Sequence, residues 1–269
     1  MATEQAAYAL VAYWRFVNNM SSLYDMGNAG GTATQEPAAT PVVTPAVTPI
    51  VTPVVEPDVE PEPFGLPGRH DDIRRIGIAS QNRTFGDIQN YANRSAIEAL
   101  AARDIIAGRS ENAFAPTDTM TRAEFATIIT RGLGLPDRPN NAQFTDVPAD
   151  AWFAGPVGIA FYYEIISGTS PSTFNPNGTI TRQEAAAMVA RAARLSGMDI
   201  NLGETETLNI LATFGDYRLA GDWAWPALAF CYREGILDDS GFYIEPMSAI
   251  TRGQIADMLY RLMGRADLL

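Results

Sequence analysis

The chain has 269 residues, 46% of them hydrophobic, which is enough for about two domains with packed cores. Its 31 acidic residues outnumber 19 basic ones, giving a net charge of −12. Such an excess repels phosphate backbones, so we expect no nucleic acid partner. The longest apolar runs fall well short of the ~20 residues of a membrane helix, so we predict no transmembrane segment.

The scarcity of certain residue types excludes further chemistry. Every basic residue is Arg, so Schiff-base catalysis and a P-loop lysine are excluded. Cys231 and His70 are the only residues of their kinds, so neither an intrachain disulfide nor a Cys/His zinc site can form. We expect no metal and no cofactor, with Cys231 a buried small hydrophobe and His70 a solvated linker residue.

The first 31 residues form a unit of their own. Apolar side chains recur at three- and four-residue steps over residues 5–26, which predicts an amphipathic helix with a broad aromatic face. No basic region precedes it, so we do not expect a secretory signal there. The exposed aromatic face leaves three alternatives: it packs back on the rest of the chain, self-associates, or docks into another protein.

Residues 32–84 have a different composition. Thr-Pro recurs at 40–41, 44–45, 48–49 and 52–53, and acidic residues come after these pairs. Proline at this density blocks helices and sheet ladders and favours extended polyproline II, so we predict a semi-rigid spacer. Residues 69–84 are a polar bridge to the regular part of the chain.

Three similar segments occupy the remainder of the chain, at 85–143, 144–213 and 214–269, with an insertion at about 198–213 in the second. Each opens with Phe-x-Asp, continues into an apolar helical stretch and a turn containing Pro, and closes on Thr-Arg. The openings contain Asp87, Asp146 and Asp216, and the closings contain Thr121-Arg122, Thr181-Arg182 and Thr251-Arg252. This agreement predicts three helical repeats and an all-α fold. The first helices are expected at 95–106, 152–166 and 223–237.

The closing motif has a structural explanation in part. Thr-x-x-Glu/Gln is a capping box, in which the threonine side chain caps the N3 amide and the N3 side chain reaches back. The arginine is different, because a cation at the first helical position opposes the helix dipole. Two explanations stay open: an anion gripped at each helix N-terminus, or an internal ion pair to Asp87, Asp146 or Asp216.

The three segments resemble S-layer homology (SLH) domains. The resemblance covers residues 85–265 and depends on the Phe-x-Asp openings, Trp152, Trp223, Phe174-Asn175-Pro176 and the Thr-Arg closings. It implies a pseudo-threefold bundle with a central three-helix core. Members of the family anchor proteins at the bacterial cell surface without catalysis, so we expect a non-enzymatic, extracellular module at the cell wall or S-layer.

The resemblance also implies a ligand. Grooves between repeats of the family bind secondary cell-wall polysaccharide, typically through pyruvylated N-acetylmannosamine. Carried over to this chain, the arginines meet the ketal carboxylate, the aspartates accept hydrogen bonds from sugar hydroxyls and the tryptophans line the groove walls. The residues are Arg122, Arg182 and Arg252; Asp87, Asp146 and Asp216; and Trp152 and Trp223.

Some positions depart from the family pattern. Tyr91 is the nearest aromatic residue to the tryptophan position of repeat 1, and Gln254 replaces Glu in repeat 3. Asp104 and Glu164 replace the glycine that Gly235 supplies in repeat 3. The most family-like set is therefore Arg182 with Asp146 and Trp152. The alternative function is a protein-interaction or self-assembly scaffold, in which the arginines form structural ion pairs.

Overall fold

The computed structural model describes residues 64–138, 144–238 and 241–269, which belong to a compact unit spanning Glu60–Leu269. The expected helix at 5–26 and residues 32–63 of the expected spacer at 32–68 lie outside the described residues. Within those residues the chain forms seven α-helices and no strand, which confirms the all-α class. None of the helices described is long and apolar enough to cross a membrane.

Each repeat contributes two helices, and the insertion adds one. Repeat 1 forms α1 (Arg94–Ala101) and α2 (Arg122–Gly132), and repeat 2 forms α3 (Ala154–Tyr162) and α4 (Arg182–Leu195). The insertion forms α5 (Glu204–Leu211), which packs on α6 (Trp225–Arg233) of repeat 3. The last helix is α7 (Arg252–Arg265).

The three Thr-Arg helices α2, α4 and α7 contact one another in pairs at the centre of the unit. Helix α4 is rich in buried alanine, and a Cβ on Gly132 of α2 would lie 3.2 Å from Leu259 of α7, so these helices approach closely. The predicted capping box is present at all three N-termini, with Thr121, Thr181 and Thr251 as N-caps.

Each central helix packs against the first helix of another repeat. Helix α2 packs on α3, α4 packs on α6, and α7 packs on α1, so the contacts run in a cycle. The buried residues accordingly form one continuous core. No repeat in this arrangement buries its apolar surface alone, which is the property that makes a repeat protein cooperative. The exact threefold symmetry stays a prediction.

The polar bridge is part of the folded unit. Ile73 is fully buried, and the backbone amide of Arg74 donates to Leu133 O at 3.1 Å. The Asp72 carboxylate accepts hydrogen bonds from Arg138 and the Tyr163 hydroxyl, both at 2.5 Å. His70 lies in a turn of this segment with its ring edge on Tyr163 and its side chain partly exposed. Segment 64–84 therefore belongs to the packed structure.

The first helix of each repeat ends earlier than the sequence pattern indicates. The chain leaves the helix through Asp104, Glu164 and Gly235, whose φ angles are 55°, 57° and 63°. This left-handed conformation suits glycine and costs other residues ~1–2 kcal/mol. The two acidic residues therefore occupy strained backbone positions, and the family's glycine at this point has a conformational reason.

We expect Asp104→Gly and Glu164→Gly to stabilise the fold by about 0.5–1 kcal/mol each, because relief of the left-handed strain exceeds the added flexibility of the unfolded chain. Chemical denaturation measures the free energy of unfolding. Asp104→Ala is the control, since it removes the carboxylate but keeps the Cβ. Equal stabilisation by the Ala and Gly variants would contradict the conformational explanation.

Candidate functional site

The opening aspartate of each repeat holds the backbone of the proline turn. In repeat 1, Asp87 Oδ1 accepts from Phe114 N at 2.9 Å and Oδ2 accepts from Ala115 N at 2.7 Å. Repeats 2 and 3 show the same clamp, from Asp146 to residues 174 and 175 and from Asp216 to residues 244 and 245. The clamp stabilises a turn whose second residue has a positive φ: Ala115, Asn175 and Glu245.

This clamp gives the aspartates a structural role. Both oxygens of each carboxylate already accept a backbone amide, so their expected bonds to sugar hydroxyls stay a prediction. The clamp also shows how the sequence of repeat 3 aligns with those of repeats 1 and 2. Ile244 occupies the position of Phe114 and Phe174, whereas Tyr243, the aromatic residue in the sequence of that turn, is exposed.

Arg122 and Arg252 are buried, and each connects two repeats through hydrogen bonds. Arg122 donates from Nε to Phe174 O at 2.9 Å, from a terminal nitrogen to Ser167 O at 3.2 Å, and forms an ion pair with Glu184 at 2.7 Å. Only 6% of the residue is exposed, and its guanidinium lies 4.8 Å from the Phe174 ring. All these partners belong to repeat 2. The arginine therefore connects its own helix to the neighbouring repeat.

Arg252 repeats this arrangement between repeats 3 and 1. It donates to Phe114 O at 3.0 Å and to Ala107 O at 2.7 Å, and lies 4.6 Å from the Phe114 ring. Burial lowers the pKa of both guanidinium groups. Among the described residues, neither arginine forms the expected ion pair to an opening aspartate. Those carboxylates hold backbone amides, and the guanidinium groups bond carbonyls and Glu184 instead.

The other explanation, an anion held at each helix N-terminus, stays a prediction, but it would have to use the arginine side chain alone. The first two helical amides donate to carbonyls of another repeat, as Arg122 N does to Gly178 O at 2.9 Å and Ala123 N to Pro176 O at 3.0 Å. The third amide donates to the N-cap threonine. The amides that an anion would need are thus already used at α2, α4 and α7.

Arg182 is different from its two counterparts. Its Nε is buried without a hydrogen-bond partner among the described residues, and the Glu245 carboxylate lies 4.0 Å from its terminal nitrogen. Ile244 stands where the other two interfaces place a phenylalanine ring. The Tyr232 hydroxyl is likewise buried without a hydrogen bond of good geometry in the described part of the chain; burial raises its pKa to about 12, and the nearby Arg182 opposes that rise. The interface between repeats 2 and 3 is therefore less completely bonded than the other two.

Three grooves open above these interfaces. Groove 1 has a volume of about 160 Å³ and is lined by Arg109, Glu124, Arg131, Trp152 and Arg252 among others. Groove 2 measures about 500 Å³ and is lined by Arg122, Ser167, Gly168, Glu184, Arg191 and Trp223 among others. Groove 3 measures about 390 Å³ and includes Tyr91, Arg182, Asp238, Glu245, Gln254 and Asp257. Each groove takes its closing arginine, one wall and its aromatic residue from three different repeats.

This placement corrects the set that the sequence favoured. Trp152 lines groove 1 with Arg252, and Trp223 lines groove 2 with Arg122, so Arg182, Asp146 and Trp152 do not form one site. Tyr91 supplies the aromatic residue of groove 3, in place of tryptophan. Trp152 and Trp223 are 64% and 58% exposed, whereas Cys231 is fully buried as expected and its pKa is raised by burial.

Each repeat contains a second arginine that the motifs of the sequence analysis do not include. Arg131, Arg191 and Arg261 each lie nine residues after the closing arginine, and this shared spacing was the available signal. Arg131 lines groove 1 and Arg191 lines groove 2, where it donates to Ser167 Oγ at 2.9 Å. In repeat 3, Arg261 pairs with Asp257, a residue of groove 3, at 2.8 Å.

The fold and the grooves define a helical repeat protein with binding clefts between its repeats. The sequence model of the S-layer homology domain matches residues 84–126 and 143–186, the first two repeats. The chain therefore contains repeats of the S-layer homology domain. Repeat 3 shares the aspartate clamp and the capping box of the two matched repeats.

Curated relatives place the same module in cell-surface proteins. The chain is 30% identical to a surface-layer 125 kDa protein of Lysinibacillus sphaericus, over 71% of this chain and 16% of the relative. It is 36% identical to a surface layer protein of Brevibacillus choshinensis, over 45% of this chain and 11% of the relative. An exoglucanase of Acetivibrio thermocellus is 30% identical, over 71% of this chain and 17% of the relative. The chain thus spans less than a fifth of these relatives.

The similarity supports a cell-surface anchoring module. Since the chain covers only a small share of the exoglucanase, that name concerns other parts of a multidomain protein. Among the described residues, no group of three or more His, Cys, Asp and Glu is placed to hold a metal ion. The grooves are the clefts in which this module presents charged and aromatic groups to solvent.

We expect Arg122→Ala to cost about 3 kcal/mol of unfolding free energy, because it leaves Glu184 and two carbonyls without their donor. Arg182→Ala is the matched variant and should cost about 1 kcal/mol or less, since its Nε makes no hydrogen bond within the described residues. Urea denaturation of both variants measures the difference. Similar losses would show that the two arginines contribute equally to the fold.

The Asp87 clamp predicts a pH dependence of stability. Burial opposes ionisation, but the amides of Phe114 and Ala115 outweigh it and hold the pKa of Asp87 below its usual range. A lowered folded-state pKa stabilises the fold above the unfolded pKa of about 4, and that contribution disappears as the pH falls through the folded value. Asp87→Asn should cost about 1 kcal/mol at pH 7 and flatten the loss below pH 4. Exposed Asp71→Asn is the control; an unchanged acid profile in Asp87→Asn would refute the assignment.

Proposed function

We propose that this module binds an acidic secondary cell-wall polysaccharide, with pyruvylated N-acetylmannosamine as the recognised residue, in grooves 1 and 2. The observation that carries the proposal is the exposure of two tryptophans beside arginines at the interfaces between repeats. The fold does not need Trp152 and Trp223 for its core, since more than half of each residue is in contact with solvent. Large exposed aromatic groups in a cleft are typical of a binding site.

The charges of grooves 1 and 2 suit a carboxylate. Groove 1 brings together Arg109, Arg131 and Arg252 with one acidic residue, Glu124, and groove 2 brings together Arg122 and Arg191 with Glu184. A guanidinium has five N–H donors, of which Arg122 uses three. The two that are left, together with Arg131 and Arg191, are the groups we propose for the ketal carboxylate. The indole faces of Trp152 and Trp223 then cover the apolar side of the sugar.

Groove 3 is the weaker candidate for an anionic sugar. Arg182 shares it with Asp238, Glu245 and Asp257, and even with Asp257 paired to Arg261 the groove has more acidic groups than groove 1 or groove 2. We propose that two grooves bind the acidic polymer and that the chain holds it through avidity of these two sites. Arg182, Asp216 and Tyr91 contribute less in this proposal than their counterparts in grooves 1 and 2.

The second candidate is a protein-interaction scaffold, which the structural contacts of Arg122 and Arg252 favour. Their ion-pair and carbonyl partners lie within the unit and leave the exposed tryptophans unexplained. A self-associating chain would cover Trp152 and Trp223 with another copy. The two candidates therefore differ in what covers the indole rings.

We expect the purified chain to sediment with cell-wall sacculi of the producing bacterium and to lose this property after chemical removal of the secondary polymer. Trp223→Ala should weaken binding about tenfold, the range in which one well-packed aromatic contact contributes. Arg191→Ala should weaken it similarly and reduce its sensitivity to salt. Phe242→Ala is the matched control, because it removes a 64% exposed ring outside grooves 1 and 2.

Circular dichroism checks that every variant is folded, and analytical ultracentrifugation reports self-association. Binding that is indifferent to polymer removal would overturn the glycan proposal. Concentration-dependent dimers in the wild type that Trp223→Ala abolishes would support the scaffold instead.

A further inference from the structure

A second cavity lies directly beside groove 2. This side pocket has a volume of about 620 Å³ and is lined by Phe161, Tyr162, Glu164, Ser167, Arg191 and Arg194 among others. Its size is within the usual range of small-molecule sites. Ser167 and Arg191 line both cavities, so the two are continuous along the surface of repeat 2.

The side pocket has a composition that the fold does not require. Phe161 and Tyr162 are 39% and 53% exposed on the last turn of α3. The corresponding positions of repeat 1 are Ala101 and Ala102, and the position of Arg194 is Gly134. Of these three small residues, Ala101 is fully buried. The aromatic rings and the extra arginine of repeat 2 therefore need an explanation other than the core.

The charge of the side pocket favours an anion. Burial lowers the pKa of Arg191, and the positive charge of Arg194 lowers it further. Glu164 pairs with Arg194 at 3.3 Å, but its side chain is 80% exposed and the pair is a weak surface contact. The negative charge of Glu164 offsets part of the repulsion between Arg191 and Arg194, and an anionic group placed between the two guanidinium groups would offset the remainder.

The two aromatic rings are held in fixed orientations. The Phe161 ring contacts Phe144 edge to face at 5.1 Å, and the Tyr162 ring contacts Tyr163 in the same way at 4.9 Å. The Arg138 guanidinium also lies 5.2 Å from the Tyr162 ring. Rings that are fixed before binding lose little entropy when a sugar packs on them. The side pocket thus offers an apolar wall, two cationic groups and one carboxylate in the same cleft.

We infer that the side pocket is a second saccharide subsite, which takes the neighbouring residue of the same anionic polysaccharide strand whose terminal or acidic sugar occupies groove 2. The inference rests on the proposed function. Arg191 lies between the two subsites and contacts both sugars, while Tyr162 and Arg194 serve the side pocket alone. Repeat 2 would then recognise a longer stretch of polymer than repeat 1.

The test compares fragments of different length. Polysaccharide released from the walls of the producing bacterium is separated into single repeating units and longer fragments, and calorimetry measures the affinity for each. We expect Arg194→Ala and Tyr162→Ala to weaken binding of the longer fragments about tenfold, while binding of the single unit changes less than about twofold. Trp223→Ala should weaken both.

Arg265→Ala is the matched control for Arg194→Ala. Both side chains are 55% exposed near the end of a central helix, and each pairs with a glutamate, Arg265 with Glu234 at 3.7 Å. Equal affinities of wild type, Arg194→Ala and Tyr162→Ala for the longer fragments would overturn the second subsite and leave groove 2 intact. Failure of the wild type to bind any fragment would overturn the proposed function and this inference together.

Discussion

The structure depends on hydrogen bonds that cross from one repeat to the next. At Arg122 and Arg252 a guanidinium enters the turn of another repeat and donates to its carbonyls, and the first amides of the same helix donate to that turn as well. A short repeat of two helices cannot bury its apolar face or satisfy its helix ends alone. The arginine at the first helical position opposes its own helix dipole, and its bonds to the neighbour compensate for that cost.

This arrangement places the candidate binding site on the same interfaces. Because the helices of different repeats meet there, the surface above each interface forms a groove, and its wall residues come from three repeats. Arg122 and Arg252, the closing arginines that bond to another repeat, are only 6% exposed to solvent. We therefore propose recognition by the exposed tryptophans and by the second arginines, Arg131 and Arg191, which line the grooves.

The three interfaces are related but not equal. In two interfaces a phenylalanine lies at the aspartate clamp, and the guanidinium of Arg122 or Arg252 contacts its ring and its carbonyl. In the third interface Ile244 takes that position, and the buried Nε of Arg182 has no hydrogen-bond partner among the described residues. The groove above that weaker interface is also the acidic one. Two residues at the ends of the first helices, Asp104 and Glu164, carry backbone strain that Gly235 avoids in repeat 3. The three repeats thus share their helices and the aspartate clamp but differ in these local contacts.

The sequence by itself determined the repeats, the all-α class, the capping boxes and the buried cysteine, because each depends on residue types at short spacings along one chain. It also contains the nine-residue spacing between the closing and the second arginines. Only the tertiary structure decided which tryptophan shares a groove with which arginine, and that the arginines bond carbonyls and Glu184 rather than the opening aspartates. Those partners are 45 to 145 residues apart in sequence, and no local pattern encodes the cyclic packing that brings them together.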